Sequence, residues 1–396
     1  MSTTSITFLF NQLMTSTIST GGDVRGKIIA DFFKKKSNYQ VKVVLPKIGQ
    51  KEFDHKKIIV GKSIYEKIFY KPTPFAAFIL FWCRTIENLK KIDKIKSDIL
   101  YLTGDFYCNT IPAFFIKNKY PKTKIVVCIH HINENPFKRK SNYLIINIVS
   151  YLLQRLSFYI IKNKADVIFT VNSQVKNYLI KHNFNQNIIV TGNGLNINKI
   201  KKDLRDLKIK PSNHICYFGR VSPTKGVFDL PKILSILLKK DPYLHLDIIG
   251  IATPEIIPKL ISKFNQYNCQ NHYTIHNFIK EKKDIYKIIL NAKVSVFPSY
   301  EEGWGISLFE SIMCQRPLIA YSLPVFKEIF GNKLITVPIG NTQKMASKIS
   351  YFLKNFPSAK TQKYIQHCYQ IVQKYDWGNV SKREFKIINQ LIYETS

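Results

Sequence analysis

Short, uninterrupted apolar runs alternate with stretches of helical period along almost the whole chain, and this alternation restricts the fold more than any other feature. The runs are Ser5–Phe10, Val41–Leu45, Asp98–Leu102, Lys124–His130, Asp166–Asn172 and Asn187–Thr191. A strand that is apolar at successive positions must be covered on both faces. The helical stretches between them, such as Val24–Lys36, Ile111–Lys119 and Ser173–His182, supply that cover. Parallel strands joined by helices are the expected result. The rhythm breaks at residues 196–213, NINKIKKDLRDLKIKPSN, a polar, Lys-rich stretch that reads as a linker. It restarts with strands at His214–Phe218, Leu244–Ile249, Tyr273–Ile279, Val294–Pro298 and Pro317–Tyr321. Helices are expected at Val227–Lys240, near Pro254–Phe264, at Lys283–Leu290 and from Gly305. The chain is thus expected to hold two doubly wound α/β domains, 1–195 and 214–375, with ligands at the carboxyl ends of the strands. A final helix lies in 376–396, carrying apolar Val380, Phe385, Ile388 and Leu391. A length of 396 residues suits domains of about 100–200 residues each.

Charge narrows the partners less than its size suggests. The chain has 60 Lys+Arg against 26 Asp+Glu, a net charge of +34. Residues 1–195 hold 30 basic and 11 acidic residues and residues 196–396 hold 30 and 15, so no single basic tail exists. Two readings stay open: attraction to an anionic surface, or a Lys-, Asn- and Ile-rich composition without selection for binding. The seven cysteines include no C-x-x-C pair, so neither a disulfide framework nor a zinc site is expected. The first ten residues lack a basic leader and an apolar h-region, and a cytoplasmic location is expected. Tyr143–Ile161 is apolar enough to suggest a membrane span, but Asn147, Gln154 and Arg155 interrupt it. A central Arg costs a spanning helix about 2.5–3.5 kcal/mol. The segment therefore reads as an amphipathic helix, packed on a sheet or dipping into a membrane surface.

Chemistry concentrates in Phe297–Gly331, FPSYEEGWGISLFESIMCQRPLIAYSLPVFKEIFG. A strand ends in a Glu-Gly-Trp-Gly turn, and a helix follows with Ile306, Phe309 and Ile312/Met313 at helical spacing. Gly303 and Gly305 let the backbone approach a ligand closely. The unpaired N–H groups of Gly305, Ile306, Ser307 and Leu308 form an anion site by geometry and dipole. Glu302 on the turn and Glu310 inside the helix are placed to hold hydroxyl groups on either side of a phosphate. The first strand of the same half ends in Gly219-Arg220, and Lys225-Gly226 follows a Ser-Pro turn. Two cations at a strand end would neutralise a diphosphate, the Arg in bidentate fashion.

The order Gly-Arg-x-Ser-Pro-x-Lys-Gly, then Pro-Ser-x-x-Glu-Gly-x-Gly-x-x-x-x-Glu, then Arg-Pro and Leu-Pro-Val resembles glycosyltransferase family 4. These are retaining enzymes of the GT-B fold, two Rossmann-like domains facing across a cleft. The family's E-x7-E signature falls on Glu302 and Glu310. By that resemblance Glu310 would bind ribose hydroxyls, Glu302 the donor sugar ring, and Arg220 and Lys225 the diphosphate. Gly21-Gly22 matches the family's loop beside diphosphate and acceptor. His130 matches its strand-end His, next to His131, and Asn193-Gly194 matches its Asn-Gly before the linker. Gln315 stands where the family commonly has Gly, which predicts a local difference at that helix end.

The resemblance implies a retaining transfer without a bound metal or cofactor, in keeping with the lack of any Asp-x-Asp. The donor would be a nucleotide-diphosphate sugar. Catalysis would rest on electrostatic stabilisation of the leaving diphosphate and on domain closure. The acceptor, a glycan or lipid-linked sugar for surface polysaccharide or glycoconjugate, would lie on the first domain. Basic clusters at Lys34-Lys35-Lys36, Lys90 to Lys96 and Lys138-Arg139-Lys140, with apolar Phe75–Trp82 and Tyr143–Ile161, suit peripheral docking on the inner, anionic membrane face. Two rivals stand beside this reading. A nucleic-acid-modifying transferase would use the same donor site, but the chain has no focused basic stripe, so no nucleic-acid partner is expected. A non-catalytic GT-B binding subunit is opposed by the intact Glu302, Glu310, Arg220 and Lys225.

Overall fold

The computed structural model describes residues 3–14, 21–60, 74–133, 135–137, 144–276 and 278–393. The chain divides into two compact units, one of residues 1–193 with 377–396 and one of residues 194–376.

The first unit is built on seven strands, β1 (Thr4–Leu9), β2 (Tyr39–Pro46), β3 (Lys56–Val60), β4 (Ile99–Leu102), β5 (Lys124–Ile129), β6 (Val167–Thr170) and β7 (Asn187–Val190). All pairs are parallel and the order is β3-β2-β1-β4-β5-β6-β7. Its helices include α1 (Gly21–Lys34), α2 (Pro74–Lys90), α3 (Tyr107–Lys119), α4 (Leu144–Lys164) and α5 (Ser173–Lys181). One core gathers Leu9, Val44, Leu102, Val127 and Ile168 under Ile116 of α3, Phe158 of α4 and Leu179 of α5. β3 has no counterpart in the sequence reading, because Lys56 and Lys57 make it look like a polar loop.

Helix α4 inverts the usual arrangement over much of its length. Asn147, Gln154 and Ser157 are buried, while Leu144, Ile145, Leu152, Leu156 and Tyr159 are exposed, the last at 67%. Gln154 donates to Asp105 and to the His131 carbonyl, and its own carbonyl receives the Asn133 N–H at 2.8 Å. Arg155 donates to the Tyr178 hydroxyl and lies over the rings of Tyr151, Phe158 and Tyr178. Two of the residues that interrupt the apolar run, Gln154 and Arg155, thus tie α4 to its own unit. The Lys138-Arg139-Lys140 cluster lies outside the described residues.

The second unit has six parallel strands, β8 (His214–Phe218), β9 (His245–Ile249), β10 (Tyr273–His276), β11 (Val294–Phe297), β12 (Leu318–Tyr321) and β13 (Ile335–Val337), in the order β10-β9-β8-β11-β12-β13. Its helices are α6 (Ile197–Arg205), α7 (Leu230–Leu238), α8 (Ile256–Gln266), α9 (Lys282–Asn291), α10 (Ile306–Met313), α11 (Pro324–Phe330), α12 (Thr342–Asn355) and α13 (Ala359–Val372). The stretch 196–213 is not all linker. Asn196 caps α6 by accepting the Lys199 N–H at 3.0 Å, and Ile197 and Ile200 bury one face of that helix against the second unit. The Lys residues on the other face made it read as unstructured.

The final helix, α14 (Trp377–Tyr393), belongs to the first unit. Phe385 packs its ring against Phe32, Phe33 and Tyr39. Below it, fully buried Glu384 receives the Arg25 guanidinium, the Tyr101 hydroxyl at 2.7 Å and the Thr191 hydroxyl at 3.0 Å. Arg25 also donates to the Gly192 carbonyl and to the Asn193 side chain. The pair therefore binds the last helix to the segment where the chain leaves the first unit.

Candidate functional site

In the second unit the chain order reverses between β8 and β11, and ligands of open α/β sheets bind in the crevice outside such a point. Both sequence-defined segments emerge there. Gly219 and Arg220 follow β8, and Pro298 to Glu302 follow β11. Gly226 joins the two loops. It adopts φ +70°, and a Cβ on it would fall 1.8 Å from the Pro298 carbonyl oxygen. The Thr224 carbonyl then receives the Tyr300 N–H at 2.9 Å. Gly305 caps α10 at φ +92°, a conformation that costs a side chain about 1–2 kcal/mol. The first backbone bond of the helix is Phe309 N–H to the Gly305 carbonyl, so the N–H groups of Ile306, Ser307 and Leu308 precede the intrahelical ladder. The start of α10 lies beside the end of β8, since a Cβ on Gly219 would come 3.5 Å from Ser307 Oγ.

Each of the two carboxylates carries a lysine. Glu302 Oε1 receives the Ser299 hydroxyl at 3.0 Å and Lys225 Nζ at 2.7 Å, and Lys225 also donates to the Glu301 carbonyl. Glu310, buried in α10, receives Lys282 Nζ at 2.9 Å on both oxygens and the Tyr286 hydroxyl at 3.4 Å. Burial, reinforced by the Glu310 charge, pushes the Tyr286 phenol far above its usual range, so it stays protonated and donates to Glu310. The Arg220 side chain is exposed, and its carbonyl receives the Tyr217 hydroxyl at 2.7 Å. Lys282 and Tyr286 escape a sequence reading, because Glu281-Lys282-Lys283 looks like any charged helix start. Only the fold brings α9 against α10.

Two local expectations change. Gln315 follows α10 at φ +54°, the left-handed position that Gly would take, so the helix ends as a Gly-capped helix does and Gln bears the strain. Gln315→Gly is expected to stabilise the second unit by about 0.5–1 kcal/mol, read by denaturant unfolding. In the first unit, Gly21 and Gly22 form the first turn of α1 and not a loop.

Gly22 faces His130. A Cβ there would lie 3.1 Å from His130 Nε2, which sits 3.0 Å from the Thr103 carbonyl. Burial, with the Arg25 charge adding to it, pulls the His130 pKa down to about 4. The ring is neutral at pH 7, Nε2–H donates to Thr103, and Nδ1 remains an acceptor. Asp105, just beyond β4, is pushed up to about 6 by burial and receives Gln154 at 2.8 Å. Gln12 joins the group by donating to Asp23 and to the Thr103 hydroxyl, both at 2.9 Å. Asp105 and Gln12 were not singled out in the sequence, where an isolated Asp or Gln in a loop carries no pattern. No three His, Cys, Asp or Glu stand together as metal ligands among the described residues.

Residues 196–367 match the family Glycosyl transferases group 1. An uncharacterized glycosyltransferase of Methanocaldococcus jannaschii is 29% identical over 297 residues, 72% of each chain. The poly(ribitol-phosphate) alpha-N-acetylglucosaminyltransferase of Staphylococcus aureus is 22% identical over 67% of this chain and 50% of its own. Among solved structures, Anabaena HepE in complex with UDP-glucose superposes with a TM-score of 0.71 at 15% identity, over 98% of this chain and all of that one. The fold is of the GT-B type. The part matched by the group 1 family falls wholly in the second unit, the one that holds Glu302 and Glu310.

Proposed function

We propose that the protein is a retaining glycosyltransferase that moves a hexose-type sugar from a nucleotide-diphosphate sugar to a glycan or lipid-linked acceptor. The observation that carries this reading is the convergence, at the switch point of the second unit, of two carboxylates, two cations and an open helix N-terminus. Arg220, Lys225 and the N–H groups of α10 meet the diphosphate, Glu310 takes the ribose hydroxyls, and Glu302 takes the sugar ring. As the bond to the anomeric carbon breaks, negative charge grows on the leaving diphosphate. Lys225, held by Glu302 and the Glu301 carbonyl, and the backbone N–H groups of α10 are already in place to stabilise that charge. Glu302 orients the sugar and offsets positive charge at the anomeric carbon. Neutral His130, beside Gly22, is suited to accept a hydrogen bond at Nδ1 from a sugar hydroxyl, not to supply a proton.

A thermal-shift screen of nucleotide sugars in EDTA, followed by NMR of the product, tests this. One donor should raise Tm, and the new linkage should keep the anomeric configuration of that donor. Turnover that stops in EDTA and returns with Mg²⁺ or Mn²⁺, or an inverted product, would contradict the mechanism.

The exposed apolar stripe of α4 supports a membrane-associated acceptor. Leu144, Ile145, Leu152, Leu156 and Tyr159 lie on one side, with Lys162 and Lys164 in the last turn. Of the other basic clusters, Lys34 pairs with Asp54 and Lys36 lies over Phe32 and Phe385, which reduces what they offer a surface. Liposome sedimentation should require anionic lipid, each nearby Lys contributing about 1 kcal/mol. It should weaken several-fold in Leu152→Ser/Leu156→Ser and fall with salt as the Debye length shrinks. Equal sedimentation with neutral and anionic vesicles, or none with either, would return the positive charge to composition alone.

A further inference from the structure

The carboxylate assigned to the ribose is already occupied. Lys282 Nζ stands 2.9 Å from each oxygen of Glu310, so it lies in front of the carboxylate on its bisector. A cis-diol that donates one hydroxyl to each oxygen needs that same place. Glu310 is buried and also receives the Tyr286 hydroxyl at 3.4 Å, which restricts how the carboxylate can turn to offer another edge. The lysine side chain is 45% exposed and free to leave. Its ammonium lies 5.1 Å from the centroid of the Phe218 ring at the end of β8, a face able to hold a cation that has lost its partner.

We propose that Lys282 is a displaceable occupant of the nucleoside subsite. In the empty site it neutralises a buried carboxylate that would otherwise be costly. Nucleotide binding exchanges it for the two ribose hydroxyls, and the ammonium moves to Phe218 and solvent. Lys282 thereby sets which nucleosides enter: a ligand with both hydroxyls replaces both bonds of the ammonium, and one lacking a hydroxyl leaves an oxygen for the lysine to keep. The proposal rests on the donor reading above, and it differs from the bland alternative in which Lys282 is a ligand of the donor.

Calorimetry with UDP, GDP and ADP and their 2′-deoxy counterparts separates the two. The proteins are the wild type, Lys282→Met, Lys282→Gln, and each of these with Glu310→Gln. With the pair of a half-exposed lysine contributing about 0.2–1 kcal/mol, either Lys282 variant should bind the preferred ribonucleotide about 1.4- to 5-fold more tightly. The 2′-deoxy form should gain less, and the gain should vanish beside Glu310→Gln. Discrimination between ribose and deoxyribose is a readout that a merely structural lysine would not move. Weaker binding in both Lys282 variants, equal gains for both sugars, or a gain that persists without the Glu310 charge would overturn the proposal and leave the donor site standing. A wild type that binds none of the six nucleotides would remove the donor site and the proposal together.

Discussion

Glu302→Gln is expected to lower kcat by about 10²–10³ while changing nucleotide-diphosphate affinity less than tenfold. The substitution keeps the shape of the side chain and an oxygen to receive Ser299, and removes the charge with one acceptor oxygen. Loss of one preorganised electrostatic contact in an active site has costs of that size. Affinity for the diphosphate should change little, because its phosphates are assigned to Arg220, Lys225 and the start of α10, not to Glu302. Lys225 loses its carboxylate partner in the variant but keeps its bond to the Glu301 carbonyl, so it remains in place for phosphate. Steady-state rates together with calorimetry read both quantities. Equal losses in kcat and in diphosphate affinity would assign Glu302 to phosphate organisation instead of the sugar.

The second large effect is on stability and lies in the other unit. Glu384→Gln should destabilise the first unit by about 3–5 kcal/mol, because it leaves the Arg25 guanidinium charged and buried without a counter-ion. For a unit of this size that is roughly 10 °C in Tm. Replacing both members, Arg25→Met with Glu384→Leu, should recover part of the loss. Apolar pairs often replace buried ion pairs at little cost. Recovery stays partial, since Tyr101, Thr191 and Asn193 lose partners they now share. A single Glu384 variant that unfolds with the wild type would show that the pair contributes nothing net.

Much of this architecture is legible in the sequence. Short apolar runs such as Ile99–Leu102, buried on both faces, admit little besides a buried parallel sheet, and His214–Phe218 has the same bounds in sequence and structure. Arg220, Lys225 and Glu302 could be singled out because each stands at a strand-turn-helix junction, and Glu310 because it follows one at a fixed spacing inside the helix. The structure places all four at one sheet reversal. Lys282 and Asp105 could not be found that way. Their importance comes from a neighbour distant in sequence, Glu310 for one and Gln154 for the other. The α4 segment is legible in composition but not in orientation: which side of an apolar helix faces out depends on where Gln154 and Ser157 find partners. The helix at Ile197–Arg205 was hidden by its lysines, and Gln315 shows that a left-handed cap can survive the loss of its glycine.

Direct titration tests the proposed nucleotide-diphosphate site in the second unit. Wild-type protein in EDTA should bind one nucleoside diphosphate of a UDP, GDP, ADP and CDP panel at a single site. Arg220→Ala should weaken that binding by about 1.5–3 kcal/mol, the worth of a charge-assisted hydrogen bond, and Glu310→Ala should weaken it as well. Unchanged affinity in both variants, or no binding by the wild type, would contradict the account.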